Sequence, residues 1–236
     1  MPSFFTPELD NNSTKLVLNA VESHHLAHVM RLKHGDEVNL NSGQGWMGKG
    51  IVREFSNKLA IIDVTDIRYI ERPKPAFAIA FSLLRNKNDE LLLEKATELG
   101  AQDFFPLQLR NSVRTPSANT EKRFTDSVLT AIKQCNNPWL PNIHPIARLT
   151  ISLQFIRKLG YIPVAASEAR PDVWLDSLNA ENDYCFIIGP EGGFSIEETE
   201  LLRSEKIPGI SLSGNILRAE TAAIAVAAQF NLLRRK

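Results

Sequence analysis

The sequence predicts a small β-domain followed by an α/β domain with a mostly parallel sheet, and three observations carry that expectation. Before "ERPKP" (Glu71 to Pro75) the chain holds short strand-like runs separated by turn residues. After it, strand-like runs alternate with helical periodicity, the pattern of an open sheet with crossover helices. At 236 residues the chain is long enough to bury a good core in one large domain or two small ones. The expected boundaries are residues 1–72 and 73–236.

Taken in order, the strand-like runs of the first part are "KLVLN", "DEVNLNSG", "MGKGIVREF" and "LAIIDVTDI". A short helix is expected in "SHHLAHVMRL", begun by Ser23 as its N-cap. In the second part "AFAIAFSLL" reads as strand, "NDELLLEKATELG" as helix and "DFFPLQL" as strand. Leu92, Ala96 and Leu99 share one helical face, and Gly100 is a natural C-terminal stop. The alternation continues through "YIPVAAS" and "YCFIIG" to "GISLSG", whose strand is expected to end at Leu212. An Ala-rich helix from near Arg218 to about Leu233 closes the chain. No internal repeat or low-complexity segment interrupts this pattern.

The stretch "FIIGPEGGFSIEE" is the first chemical signal. A short apolar run, Tyr184 to Ile188, is stopped by Gly189 and Pro190 and reads as a fully buried strand. Ser195 stands three residues before Glu198, so a capping box should start a helix there. A phosphate cradle needs Gly-Lys-Ser/Thr, and this loop reads Gly193-Phe194-Ser195 with Glu191 inside it. The glycine spacing fails the dinucleotide fingerprint, and Ser195 followed by Ile196-Glu197 fails the nucleophile elbow. Two readings remain: the glycines shape a tight turn, or they admit the backbone close to a ligand that is neutral or cationic there.

The second signal is "LSGNILRAETAAIAVAAQFNLL". Its alanines allow close packing against another backbone, in the core or in a dimer, and Arg234, Arg235 and Lys236 follow where the helix dipole favours cations.

Composition excludes several classes. With 27 basic and 27 acidic residues the net charge is zero, so any RNA contact must use local cationic clusters rather than a general field. No basic n-region opens the chain and no apolar run approaches the ~20 residues of a membrane span. Two cysteines, Cys135 and Cys185, make no disulfide framework and fit a reducing cytosol. His24, His25 and His28 lack the glutamate of the zinc-protease motif and an evident third ligand, so no metal is expected.

Three motifs together, "EKATELGAQDFFPL", "IIGPEGGFS-EE" and "L-G-ILRAETAA", behind "HHLAHVMRLKHGDEV", resemble the ribosomal small-subunit methyltransferase E family over nearly the whole chain. The resemblance implies methylation of N3 of a uridine in 16S ribosomal RNA from S-adenosylmethionine, by a cytosolic homodimer. It also implies a PUA-like barrel that helps hold RNA, followed by a SPOUT domain tied in a trefoil knot, a topology that general rules would exclude. A SPOUT methyltransferase with another acceptor, such as a ribose 2′-hydroxyl or another base, is the alternative. So is a ribosome-assembly RNA-binding protein without turnover.

By the same resemblance, cofactor loops map to Ala166 and Ser167, to Ile188, Gly189, Glu191, Gly192 and Gly193, and to Leu212, Ser213, Gly214, Ile216 and Leu217 with Thr221 behind them. Arg218 would stabilise charge developing on uracil oxygens, and Glu191 or Glu220 would receive the N3 proton. Candidate RNA contacts are His25, Arg31 and Lys33 in the first domain and Arg85, Arg110 and Arg114 in the second. The chain departs from the family at Asn137 and Asn215, where an arginine is usual, and at Lys133, where a glutamate is usual.

Overall fold

Runs of branched and aromatic residues become strands in the computed structural model, which describes residues 3–166 and 173–235. Two compact units result: Met1–Arg72 with Leu129–Leu140, and Pro73–Val128 with Pro141–Lys236.

The first unit begins with β1 (Ser3–Phe5), β2 (Lys15–Val17) and the short helix α1 (Ala20–His24), which continues as a π-helical turn over His25–Val29. Strands β3 (Glu37–Asn41), β4 (Trp46–Ser56) and β5 (Leu59–Tyr69) complete a sheet in the order β1-β3-β4-β5-β2. Pairing is antiparallel except between β1 and β3. Phe4, Leu18, Leu26, Leu40, Val52 and Ile62 are buried inside it. The helix start differs from expectation: Asn19 is the N-cap, its side chain accepting from the Glu22 amide at 2.9 Å. Ser23 is buried, donates to the Leu18 carbonyl at 3.0 Å and accepts from the Ala60 amide at 2.9 Å. Its hydroxyl therefore ties α1 to β5, because a buried hydroxyl must find partners wherever they lie. Glu22 is likewise buried and is met by Lys133 at 2.7 Å.

The second unit contains β6 (Phe77–Ser82), α2 (Asn88–Glu98), β7 (Asp103–Leu107), the start of α3 (Thr120–Cys135), β8 (Asn142–Ile143) and α4 (Leu149–Lys158). It continues with β9 (Ile162–Ala166), a 3₁₀ turn at Leu175–Ser177, β10 (Tyr184–Ile188), α5 (Ile196–Ser204), β11 (Gly209–Ile210) and α6 (Ala219–Leu233). All pairs are parallel, in the order β11-β9-β10-β6-β7-β8. Every residue of β6 and of β10 is buried, which is why both read as continuous apolar runs. Phe230 of α6 meets Phe77 and Phe186 edge-on at 5.6 and 5.5 Å, locking the Ala-rich helix onto the sheet. Strand β11 stops at Ile210, short of Leu212, because the Ser211 amide turns aside to the Val173 carbonyl at 2.9 Å.

At the amino ends of the strands a buried carboxylate gathers separate segments. Asp103 accepts from the Tyr161 hydroxyl at 2.6 Å and from Asn142 at 3.0 Å, and His144 lies 2.9 Å away. Burial pushes the Asp103 pKa up, but these hydrogen bonds outweigh it and hold the carboxyl below its ordinary value.

Candidate functional site

In this sheet β6 and β10 lie side by side, yet the chain leaves β6 toward β7 on one side and β10 toward β11 on the other. That makes a topological switch point, and ligands of open α/β sheets bind outside the carboxyl ends of the strands there. The loops following β9, β10 and β11 leave from three adjacent carboxyl ends.

The loop after β10 is built by its glycines. Buried Ile188 ends the strand, the Gly193 amide donates to the Pro190 carbonyl at 2.9 Å, and Gly193 sits at φ +71°. Ser195 then caps α5 reciprocally: its hydroxyl accepts from the Glu198 amide at 3.2 Å and Glu198 accepts from the Ser195 amide at 2.8 Å. A Cβ at Gly189 would press on the Phe194 ring at 3.1 Å, so this glycine serves packing. At Gly192 a Cβ would make an ordinary 3.5 Å contact with Asn111, and at Gly214 it would meet nothing within 4 Å. Packing inside the protein therefore does not require glycine at 192 or 214; a close-approaching ligand would.

Neighbouring loops hold the glycine loop in place. The Asn111 side chain donates through Nδ2 to the carbonyls of Gly193 at 3.0 Å and Gly192 at 3.4 Å, and the Arg85 backbone amide donates to Glu191 at 3.2 Å. Glu191 is otherwise exposed. In the loop after β11, Leu212 accepts from Gln229 at 2.8 Å and Ser213 accepts from the Asn215 amide at 3.2 Å. Ile216 is 66% exposed, Leu217 is half-buried and Thr221 exposed. Ala166 is half-buried at the end of β9, and Ser167 lies outside the described residues.

The proposed chemical groups differ in environment. Arg218 is exposed, and its carbonyl begins α6 by accepting from the Ala222 amide at 2.8 Å. Glu220, in the first turn of α6, is only 8% exposed. One of its oxygens accepts from Asn88 at 3.0 Å, whereas Oε2 is buried without a hydrogen-bond partner. Asn88 was not singled out by sequence reasoning. The available signal was "RNKN" directly after a buried strand: Asn86 and Lys87 both adopt left-handed backbone, at φ +52° and +62°. Consecutive left-handed residues other than glycine are uncommon and point to a constrained segment.

The cationic candidates fall into two groups. Arg114 is engaged by Asp89 at 2.9 Å, and Asp89 is fully buried, its pKa raised by burial with Arg114 opposing. Arg110 makes an exposed 3.3 Å pair with Glu197, an arrangement worth little in stability. Arg85 is exposed. His25, with its ring 5.8 Å from Phe4, and exposed Arg31 and Lys33 belong to the first unit. The rings of His24 and His28 lie 4.6 Å apart, but among the described residues no group of three His, Cys, Asp or Glu is placed to hold a metal. Asn137 shapes a turn, its carbonyl accepting from Asn41 at 2.8 Å and its side chain from the Trp139 amide at 3.0 Å.

Residues 71–231 match the RNA methyltransferase domain family, and residues 18–64 match the RNA methyltransferase PUA domain. The chain is 29% identical over 236 residues to "Ribosomal RNA small subunit methyltransferase E" of Rickettsia conorii, covering 98% of this chain and 94% of that one. A crystal structure of a protein of that same name from Neisseria gonorrhoeae, bound to S-adenosyl methionine, superposes with a TM-score of 0.89. It is 22% identical, and the match covers 99% of this chain and 98% of that one. The SpoU methyltransferase AviRb from Streptomyces viridochromogenes shares the fold over 75% of this chain and 68% of its own, with a TM-score of 0.50 and 16% identity.

Proposed function

We propose, from the premise that this chain belongs to the RNA methyltransferase family, that it transfers a methyl group from S-adenosylmethionine to N3 of a uridine in 16S ribosomal RNA. The substrate is the small ribosomal subunit or an assembly intermediate, and the enzyme works in the cytosol as a homodimer. The observation that carries the reading is the set of three loops at adjacent carboxyl ends, with glycines that packing does not require and a buried carboxylate oxygen left unpartnered.

These residues suit S-adenosylmethionine. The loops offer backbone amides and carbonyls, apolar Ile188, Ile216 and Leu217 for adenine, and no lysine that would select a phosphate. When bound, this donor supplies an electrophilic methyl group. Gly192 and Gly214 admit it close to the backbone, and orientation of the two reactants provides much of the acceleration. Uridine N3 lies on the pairing edge, so the base must be unpaired or extruded before it can react. N3 must also lose its proton as the new bond forms. Glu220 is the acceptor: Asn88 fixes one oxygen and the unpartnered Oε2 takes the proton. Arg218, at the start of α6, faces no described partner and stabilises the charge that develops on the uracil oxygens. Glu191, held by the Arg85 amide, positions the glycine loop.

The test is transfer of labelled methyl to small subunits from cells lacking this protein, followed by digestion and mass analysis of the nucleosides. Label recovered as 3-methyluridine is the expected result. Label on another nucleoside would overturn the acceptor, and cofactor binding without transfer would overturn the reaction.

A further inference from the structure

An aromatic cluster in the first unit takes no part in the chemistry above. Trp46 at the start of β4 and Tyr69 at the end of β5 are direct cross-strand partners, with ring centroids 4.9 Å apart. Trp139 meets Tyr69 edge-on at 5.9 Å, and the Arg72 guanidinium lies 5.4 Å from the centre of the Trp139 ring. The Trp139 indole N–H donates to the Ile70 carbonyl at 3.0 Å. Beneath the rings, the Gly45 amide donates to the Pro138 carbonyl and the Leu140 amide to Gly43, each at 2.9 Å. Gly45 has φ +95°, and a Cβ there would stand 2.6 Å from both Trp139 and Tyr69. The rings are thus fixed from below by backbone that only glycine permits. Tyr69 nevertheless remains 45% exposed.

We infer that Tyr69, held between Trp46 and Trp139, is a stacking platform for an unpaired base of RNA. The ligand class rests on the proposed function; the geometry of the platform does not. Every base has a π-face, so a fixed, open aromatic ring binds single-stranded RNA with little dependence on sequence. Little freedom is lost on binding because the neighbouring rings already set the orientation. Arg68, one residue earlier in β5, projects to the opposite face of the sheet, so the platform holds its ligand by stacking. The acid Asp66 stands opposite Lys49 in the sheet register, on the strand face away from Tyr69. An apolar protein partner would need a broad apolar border, whereas the exposed Glu71 and the Arg72 guanidinium over Trp139 follow this ring directly.

The test uses the full chain and a single-stranded oligouridine of roughly 12 nucleotides in filter binding. Tyr69→Phe should bind like the parent, and Tyr69→Leu, which keeps an apolar cover over Trp139, should bind on the order of tenfold more weakly. S-Adenosylmethionine affinity and melting temperature should stay unchanged in both. Unchanged RNA binding by Tyr69→Leu overturns the platform, as does an equal loss in Tyr69→Phe, which would implicate the hydroxyl instead. Where Tyr69→Leu melts early, quenching of the parent's tryptophan fluorescence by the RNA decides, because a base on Tyr69 lies beside Trp46 and Trp139; no quenching overturns the proposal. Tyr69-dependent RNA binding in a chain that fails to methylate small subunits would reject the uridine assignment and leave the platform standing.

Discussion

Glu220 and Asn88 stand 132 positions apart in sequence and meet at 3.0 Å, so their pairing was invisible until the fold brought them together. Glu220 was legible as a candidate because its motif could be read; Asn88 carried no comparable signal. We expect Glu220→Gln to lower turnover by about 10²- to 10⁴-fold, the range of general-base catalysis, with S-adenosylmethionine affinity retained in calorimetry. Normal turnover would remove Glu220 from the proton path. The two neighbouring glycines should separate function from folding. A Cβ at Gly192 meets only ordinary contact in the protein, so Gly192→Val should fold and lose cofactor binding. Gly193→Ala has open space but a left-handed backbone, and should lose roughly 1 kcal/mol in chemical unfolding. Equal melting curves for the parent and Gly193→Ala would contradict the strain argument.

Among the elements, strands lying within apolar runs bounded by turn residues were legible, and β1 was not. Strands β6 and β10 announce themselves because both faces are buried, and α5 because Ser195 and Glu198 form their capping box within four residues. Strand β1 escaped notice since three residues carry no periodicity; parallel pairing with β3 makes it a strand. Ser23 misled as a cap because its buried neighbours recruit its hydroxyl across the sheet. The cluster at Asp103 joins β7, β8 and the entrance to β9, and gives an acid-linked prediction. Its folded pKa is depressed, so its stabilisation is present above the unfolded value of about 3.9 and is lost as pH falls through the folded one. Asp103→Asn should therefore cost about 1–3 kcal/mol at pH 7 in urea unfolding. The difference from the parent should shrink as pH is taken below about 4. A difference that stays constant into acid would assign the effect to packing instead of charge.

For the whole molecule, zero net charge limits how RNA can be held. Of the candidate cations, Arg114 is engaged by Asp89 and Arg110 by Glu197, leaving Arg31, Lys33 and Arg85 for phosphates. RNA affinity should accordingly fall by less than about 100-fold between roughly 50 and 200 mM salt, well short of a protein making many phosphate contacts. A steeper fall would require cationic contacts beyond those identified. Sheet order and the membership of each unit were the least legible features, since neither periodicity nor caps encode which distant strands pair. The first unit takes residues 129–140 from far along the chain, including Trp139 beneath Arg72 and Lys133 against Glu22. That interleaving has an evolutionary consequence. A gene break after codon 72 would release a fragment lacking part of its own interior, so this unit cannot be shuffled between proteins as a self-sufficient cassette. Recombination that preserves it must carry both stretches of the gene together.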